Sequence, residues 1–154
     1  MSKEGYLRIE DHVSRYAHPK KVIRDENEEP VSLTPQAFEM RVKLNEESLS
    51  VNWLEFFGGD HSSNIRETIQ SFRKQWGGPL SDLSAFGIGN VGRLEDVCTE
   101  HQYSKVKVLY NEKKNTKQNP SHATIIRLPI NELVVMEALA SEVFKEIVAN
   151  KDIP

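Results

Sequence analysis

The chain has 154 residues, a formal net charge of −3 and 28% charged residues, as expected for one globular domain with a well-solvated surface. No apolar run approaches the roughly 20 residues that span a bilayer, which excludes a membrane-spanning helix, and the acidic balance makes DNA an unlikely partner. The single cysteine, Cys98, cannot form an internal disulfide, so the expected location is the cytoplasm.

The first predicted element is a short helix at residues 9–17. Its apolar residues recur at helical spacing, starting just before it: Tyr6, Ile9, Val13 and Tyr16. Pro19 ends the pattern, because the residue before a proline avoids helical backbone angles. In this helix His12 and Arg15 lie one turn apart on the same side. Residues 18–36 contain three prolines and an acidic cluster, and they predict a long exposed connection.

Residues 37–54 predict an antiparallel hairpin. The first strand alternates apolar with charged residues, and its apolar positions are Phe38, Met40, Val42 and Leu44. A polar turn at 45–48 leads into a second alternating strand at 49–54, which belongs to the densest apolar run of the chain. Asn52 and Glu55 travel with this run, so each must be hydrogen-bonded in the core or must line a site.

The rest of the chain alternates between helices and strands. Helices are expected at residues 64–76, 93–100 and 131–147, the last of them amphipathic and packed on the sheet. Strands are expected at residues 85–91, 106–110 and 123–128. Trp53, Trp76 and Cys98 fall at inward positions and are expected in the core. The prediction is a single α+β domain over residues 1–154, with about five mostly antiparallel strands and three to four helices.

Residues 87–92 satisfy the pattern G-x-G-x-x-G, which in dinucleotide-binding folds links a strand to a helix that faces a pyrophosphate. Glu112 follows near the position where such a fold carries its ribose-binding acid. The segment before these glycines is a poor central strand, however, and the helix after them is short. The favoured interpretation is that Gly87, Gly89 and Gly92 serve a strand bulge or close packing.

Two short motifs, His61-Ser62-Ser63 and His122-Ala123-Thr124, share the pattern H-x-S/T. The pair resembles the motifs of the two-histidine phosphoesterases, which act on cyclic and RNA phosphodiesters. That resemblance implies that the histidines serve as acid and base and that the hydroxyls hold phosphate. His61 departs from the family pattern, because it follows two glycines in a turn instead of lying on a strand.

Six further polar residues stand where core or site positions are expected: His12, Arg15, Asn52, Glu55, Asn90 and His122. His122 or His12 could act as a general acid or base, with Glu55 as the carboxylate that orients it or exchanges a proton. Arg15 could bind an anion, and the two asparagines could contact the ligand. The structural alternative is that Asn52 bonds backbone, that Glu55 pairs with an arginine, and that the histidines have no chemical role.

The leading hypothesis is a small cytosolic enzyme, or enzyme-like domain, that acts on a nucleotide or phosphoester with a histidine acid/base. The alternative is a non-catalytic module that contacts a partner protein as a subunit or regulator of a larger assembly. RNA binding is a third hypothesis, based on a group of lysines: Lys105, Lys107, Lys113, Lys114 and Lys117. No cofactor is predicted, and the scattered histidines predict no metal site.

Overall fold

A seven-stranded sheet forms the centre of the protein. The computed structural model describes residues 5–154, and the sheet strands are β1 Gly5–Tyr6, β2 His12–Ala17, β5 Leu49–Trp53, β6 Ala85–Asn90, β7 Lys107–Tyr110, β8 His122–Ile126 and β9 Glu146–Ala149. Their spatial order is β1-β7-β8-β5-β2-β6-β9, and each neighbouring pair is antiparallel. A separate hairpin consists of β3 Val22–Arg24 and β4 Pro30–Leu33. The predicted α+β fold with a mostly antiparallel sheet is confirmed, but the sheet has two more strands than expected.

The α-helices in the described part of the chain are α1 His61–Trp76, α2 Val91–Glu100 and α3 Leu133–Ala138, which continues into a π-helical turn at Leu139–Val143. Short 3-10 helices occur at Pro19–Lys21, Pro35–Phe38, Val42–Leu44, Leu54–Phe57, Glu112–Lys114 and Asn150–Asp152. Asp60 caps α1 by accepting a hydrogen bond from the Ser63 N–H at 2.8 Å, and Gly77 ends the helix with a positive φ of 83°. None of the helices within residues 5–154 combines the length and hydrophobicity needed to cross a bilayer.

The two faces of the sheet are covered differently. On one face, a large core joins buried residues of the sheet to α2, α3 and the π-helical turn, including Val13, Val97 and Phe144. On the other face, α1 packs Ile65 and Ile69 against β6, forming a second and smaller core. Ser50 of β5 is exposed, so the second face is open beside α1. The candidate site lies beside this open region and extends into the gap between β2 and β5.

The helix predicted at residues 9–17 is wrong, because residues 12–17 form the strand β2. This strand lies inside the sheet, paired with β6 over six residues and with β5 over two. Val13 and Ala17 are buried on one face, but Ser14 and Arg15 interrupt the apolar alternation that marks a strand. Tyr6, Ile9, Val13 and Tyr16 have helical spacing by chance, and this spacing led to the helix prediction.

The hairpin predicted for residues 37–54 is also wrong in its first half. Residues 35–38 and 42–44 form 3-10 helices, and Val42 and Leu44 are exposed. The strand β5 exists as predicted, but its partners are β2 and β8. The alternation of apolar and polar residues predicts a strand but does not identify the strands that pair with it, because every strand offers backbone hydrogen bonds.

Two other segments differ from expectation. Residues 18–36, predicted as an exposed connection, contain the β3–β4 hairpin, and the acidic cluster forms its turn around the side chain of Asp25. Leu33 at the end of this hairpin is buried against the sheet. The C-terminal helix predicted at residues 131–147 ends at Val143, after which β9 pairs with β6. The helical part does pack its apolar side on the sheet, as expected.

Candidate functional site

A cavity of about 690 Å³ lies where β2 and β5 separate. The two strands pair only at Val13 with Trp53 and at Ser14 with Asn52, after which the backbones diverge. The cavity occupies this gap and extends to the C-terminal end of α1. Its volume falls in the usual range for small-molecule sites, which is roughly 300–1,000 Å³.

The Arg15 guanidinium bridges the gap between the separated strands. Its Nε donates to the carbonyl oxygen of Ala37 at 2.8 Å, and its Nη1 donates to that of Ser50 at 2.9 Å. Among the described residues, no carboxylate forms an ion pair with Arg15, while the nearby Arg41 is neutralised by Glu46 at 2.7 Å. Burial lowers the pKa of Arg15 to about 10, a shift that the more distant Glu46 only partly offsets. The cavity therefore has a cation on its wall with unused N–H donors.

His122 lines the same cavity from the start of β8. It lies directly opposite Asn52 in the β5–β8 register, and its Nε2 is 3.2 Å from the hydroxyl oxygen of Ser50. Burial lowers the pKa of the His122 imidazole, so the neutral form is favoured near pH 7. Ser50 thus contacts Arg15 through its carbonyl and His122 through its hydroxyl, and it holds the two groups on one wall.

A chain of amides forms the floor of the cavity. The Nδ2 of Asn52 donates to Asn119 Oδ1 and to Ser121 Oγ, the latter at 3.1 Å. Asn119 Nδ2 in turn donates to Gln75 Oε1 at 2.6 Å. Asn52 is only 4% exposed, and its Oδ1 accepts no hydrogen bond from the described residues. Both protons of the Asn52 amide are used, so this oxygen is the group that Asn52 can offer to a ligand.

Three aromatic side chains form one side of the cavity. Tyr16 stacks on Phe72 with ring centroids 5.1 Å apart, and it also contacts Trp76 at 5.0 Å. Trp76 is 52% exposed, which corrects the prediction that this residue belongs to the core. The Trp76 ring thus contacts two other aromatic rings and also lines the cavity.

His12 and Glu55 form a separate cluster that does not line the cavity. His12 Nδ1 lies 2.7 Å from Glu55 Oε2, and the backbone N–H of His12 donates to Glu55 Oε1 at 2.6 Å. The His12 ring centroid is 5.0 Å from that of His61, whose Nε2 lies 2.8 Å from Glu146. The structure therefore pairs His12 with Glu55, as the acid/base hypothesis required, but it does not bring them together with Arg15 and His122.

Asn90 and the glycine motif have structural roles. Asn90 caps α2 by accepting from the Arg93 N–H at 2.8 Å, and its Nδ2 donates to the carbonyl oxygens of Ile9 and Asp11. The next two backbone N–H groups of α2 donate to the same two carbonyls, so the helix start has no free donors for a phosphate. A Cβ on Gly92 would lie 2.9 Å from the carbonyl oxygen of Ile9, which explains that glycine by close packing. These contacts favour the packing interpretation over dinucleotide binding.

The remaining sequence motifs are dispersed. His61 begins α1 and does not line the cavity that contains His122, so the two H-x-S/T motifs do not form one site. Lys107 is paired with Glu95 at 2.8 Å, and none of the five lysines of the RNA hypothesis lines the cavity. Within residues 5–154, no group of three His, Cys, Asp or Glu side chains is arranged to hold a metal ion.

Of the six predicted site residues, Arg15, Asn52 and His122 meet in the cavity. Among the other residues that line it, the sequence did not indicate the ones that contact Arg15, Asn52 and His122 or complete the amide chain and the aromatic side: Ser50, Gln75, Trp76 and Asn119. Asn119 precedes a proline in a polar loop, and Gln75 and Trp76 end an amphipathic helix, so no local signal marked them. Comparison of the chain with protein-family models, curated proteins and solved structures found no match.

Proposed function

We propose that this cavity binds a nucleotide or a related phosphoester, with Arg15 holding the phosphate and His122 acting as the acid/base. The observation that carries the proposal is the Arg15 guanidinium, which forms no ion pair with a carboxylate of residues 5–154 and lines a cavity that the neutral His122 also lines. The proposal describes a small enzyme or enzyme-like domain.

The charge of Arg15 supports an anionic ligand. A cation removed from water is stabilised by an opposite charge. Here the described residues supply two carbonyl dipoles in direct contact and, at longer range, the Glu46 carboxylate, which is already paired with Arg41. Two of the five N–H groups of the guanidinium are used, which leaves three donors for a ligand. Phosphate oxygens suit this planar group because they can accept two parallel hydrogen bonds from it.

His122 supports a proton-transfer role. In hydrolysis of a phosphoester, the oxygen of water bonds to phosphorus while the ester P–O bond breaks. Neutral His122 can take the proton from that water and return it to the departing alkoxide, which leaves as an alcohol. The Ser50 hydroxyl, 3.2 Å from Nε2, orients the imidazole for this exchange.

The test measures binding and turnover separately. Calorimetry and thermal unfolding are recorded with inorganic phosphate, ribonucleoside 5′-monophosphates, cyclic nucleotides and a short RNA. A ligand at about one hundred times its Kd stabilises the folded protein by about 2.7 kcal/mol, which corresponds to a Tm shift of several degrees. Arg15→Met should abolish this shift, whereas His122→Gln should keep binding and lose phosphoester hydrolysis.

Arg66→Met is the control variant, because it removes the same charge from an exposed position of α1 outside the cavity. It should bind and turn over like the wild type. If Arg66→Met and Arg15→Met weaken binding equally, the effect reports net charge and the proposed phosphate site is wrong.

The second candidate is a protein-interaction module that acts as a subunit or regulator. The side chain of Asn131 accepts from the Met40 N–H at 2.7 Å and donates to the Met40 carbonyl at 3.1 Å, which joins two segments rich in exposed apolar residues. These residues are Val42, Leu44, Ile130, Leu133 and Val134. If no phosphate-containing compound binds the protein, this candidate replaces the first.

A further inference from the structure

The cavity has a second recognition surface besides Arg15 and His122. It consists of the Trp76 ring and two polar atoms of the amide chain, Asn52 Oδ1 and Gln75 Nε2. Gln75 Oε1 is occupied by Asn119 Nδ2, so the donor Nε2 is the part of Gln75 left for a ligand. Asn52 has used both of its N–H groups and is left with an acceptor.

We infer that the phosphate-containing ligand is a nucleotide whose base stacks on Trp76 while its edge is read by Gln75 Nε2 and Asn52 Oδ1. This inference rests on the proposed phosphate site and specifies the rest of the ligand. It assigns a role to the exposed Trp76 ring and to the Asn52 acceptor, which the phosphate site alone does not use.

The aromatic wall favours a planar ligand group. Tyr16 and Phe72 hold the Trp76 ring, with centroids 5.0 and 5.6 Å away, so the ring offers a supported face. Trp76 lines the cavity and is 52% exposed in total, although burial of a tryptophan is strongly favourable. Bases stack on such rings regardless of their identity, because every base has a π-face.

The polar pair favours a base over a simple aromatic ring. Asn52 is 4% exposed and lines the cavity, and none of residues 5–154 donates to its Oδ1, so a ligand donor in the cavity can pair with this oxygen. Each nucleobase has a hydrogen-bond donor, either a ring N–H or an exocyclic amine, next to an acceptor along one edge. This edge complements the Gln75 Nε2 donor and the Asn52 Oδ1 acceptor. A phenyl group offers neither a donor nor an acceptor, so it would form no hydrogen bond with Asn52 Oδ1.

The test compares three phosphate esters by calorimetry: ribose 5-phosphate, phenyl phosphate and the nucleoside 5′-monophosphates. Phenyl phosphate has the ring without the polar edge, and ribose 5-phosphate has neither. The expected order of affinity is nucleotide, then phenyl phosphate, then ribose 5-phosphate. Stacking corresponds to roughly tenfold to hundredfold in Kd, and Trp76→Ala should remove that factor for both ring-containing ligands.

Gln75→Glu is the decisive variant. A glutamate can still accept the Asn119 hydrogen bond, but it replaces the Nε2 donor by an acceptor, so the fold is preserved and the base edge is mismatched. Nucleotide affinity should fall to the level of phenyl phosphate. Gln70→Glu introduces the same charge on α1 outside the cavity and should leave the affinity order unchanged.

The outcomes separate this inference from the proposed function. If all three esters bind with equal affinity and Arg15→Met abolishes binding, the phosphate site stands and base recognition is refuted. If nucleotides bind tightest but Trp76→Ala and Gln75→Glu have no effect, the base is bound elsewhere and the inference also fails. If none of the esters binds, both proposals are wrong.

Discussion

Replacement of Arg15 by methionine tests whether the main role of this residue is to bind a ligand or to stabilise the fold. Both side chains are long and unbranched in their first three side-chain atoms, so the substitution removes the charge and keeps much of the apolar stem. The protein would lose two hydrogen bonds, from Arg15 to the carbonyl oxygens of Ala37 and Ser50. The substitution would also remove the free-energy cost of desolvating the Arg15 cation on folding.

The two effects oppose each other. Burial that lowers the pKa of Arg15 to about 10 implies that folding disfavours its charge by roughly 3 kcal/mol, since one pKa unit corresponds to about 1.4 kcal/mol. Hydrogen bonds from a charged donor contribute about 1.5–3 kcal/mol each, so the two lost bonds remove roughly 3–6 kcal/mol. We expect Arg15→Met to lower the free energy of unfolding by no more than about 3 kcal/mol.

Arg73 provides the comparison. It donates four hydrogen bonds, two to Asn150 and one each to the carbonyl oxygens of Ile153 and Pro154, at 2.6–2.9 Å. Arg73→Met should therefore be clearly more destabilising than Arg15→Met in urea unfolding at equal m-values. If Arg15→Met lowers the free energy of unfolding as much as Arg73→Met does, the hydrogen bonds of Arg15 serve the fold, and the proposal that Arg15 binds an anionic ligand is refuted.

Three further predictions follow from packing and titration. Gly87→Ala places a Cβ 2.7 Å from Leu33 Cδ1 and 3.2 Å from Phe144 Cβ, so it should destabilise the protein by about 1–3 kcal/mol in urea unfolding without changing nucleotide affinity. The lowered pKa of His122 means that the unfolded state binds its proton first, so wild-type stability is full above about pH 6.5 and falls below it. His122→Gln should lose less stability between pH 7.5 and 5, and equal losses would contradict this. Burial raises the pKa of the Cys98 thiol to about 11, so iodoacetamide at pH 8 should label it only after unfolding, and rapid labelling of the native protein would contradict its placement.

The sequence predicted correctly those elements that are defined by their own residue pattern and by the residues next to them in the chain. The helix α1 has an amphipathic stripe and a glycine end, and β8 is an apolar run after Pro120, so both were found. Strand β9 was not predicted, because Ile147 fits the helical spacing of the apolar residues before it. In the structure the helix ends earlier, with a π-helical turn at Val143. Nothing in the local pattern reveals that β6 has an unpaired edge for this segment to join.

Local signals also explain why some of the predicted site residues lie together in the structure. Asn52 and His122 were selected as polar residues within apolar strands, and the β5–β8 register does place them opposite each other. Ser50 and Asn119 look like ordinary strand and loop residues, and they gain a role only through contacts with Arg15 and Asn52 across the fold. The long-range pairing that creates the cavity also determines which of its polar residues matter.

The wrong helix prediction for residues 9–17 explains why the structure separates the predicted site residues into two groups. In a helix, residues three apart share a face, so the sequence pattern placed His12 beside Arg15. In a strand, residues three apart point to opposite faces, and β2 separates the two side chains accordingly. His12 turns toward Glu55 at one end of the strand, while Arg15 fills the gap between β2 and β5. The change of period therefore separates His12 from Arg15, and the position of His12 at the first residue of β2 places its pair with Glu55 outside the cavity that we propose to bind nucleotide.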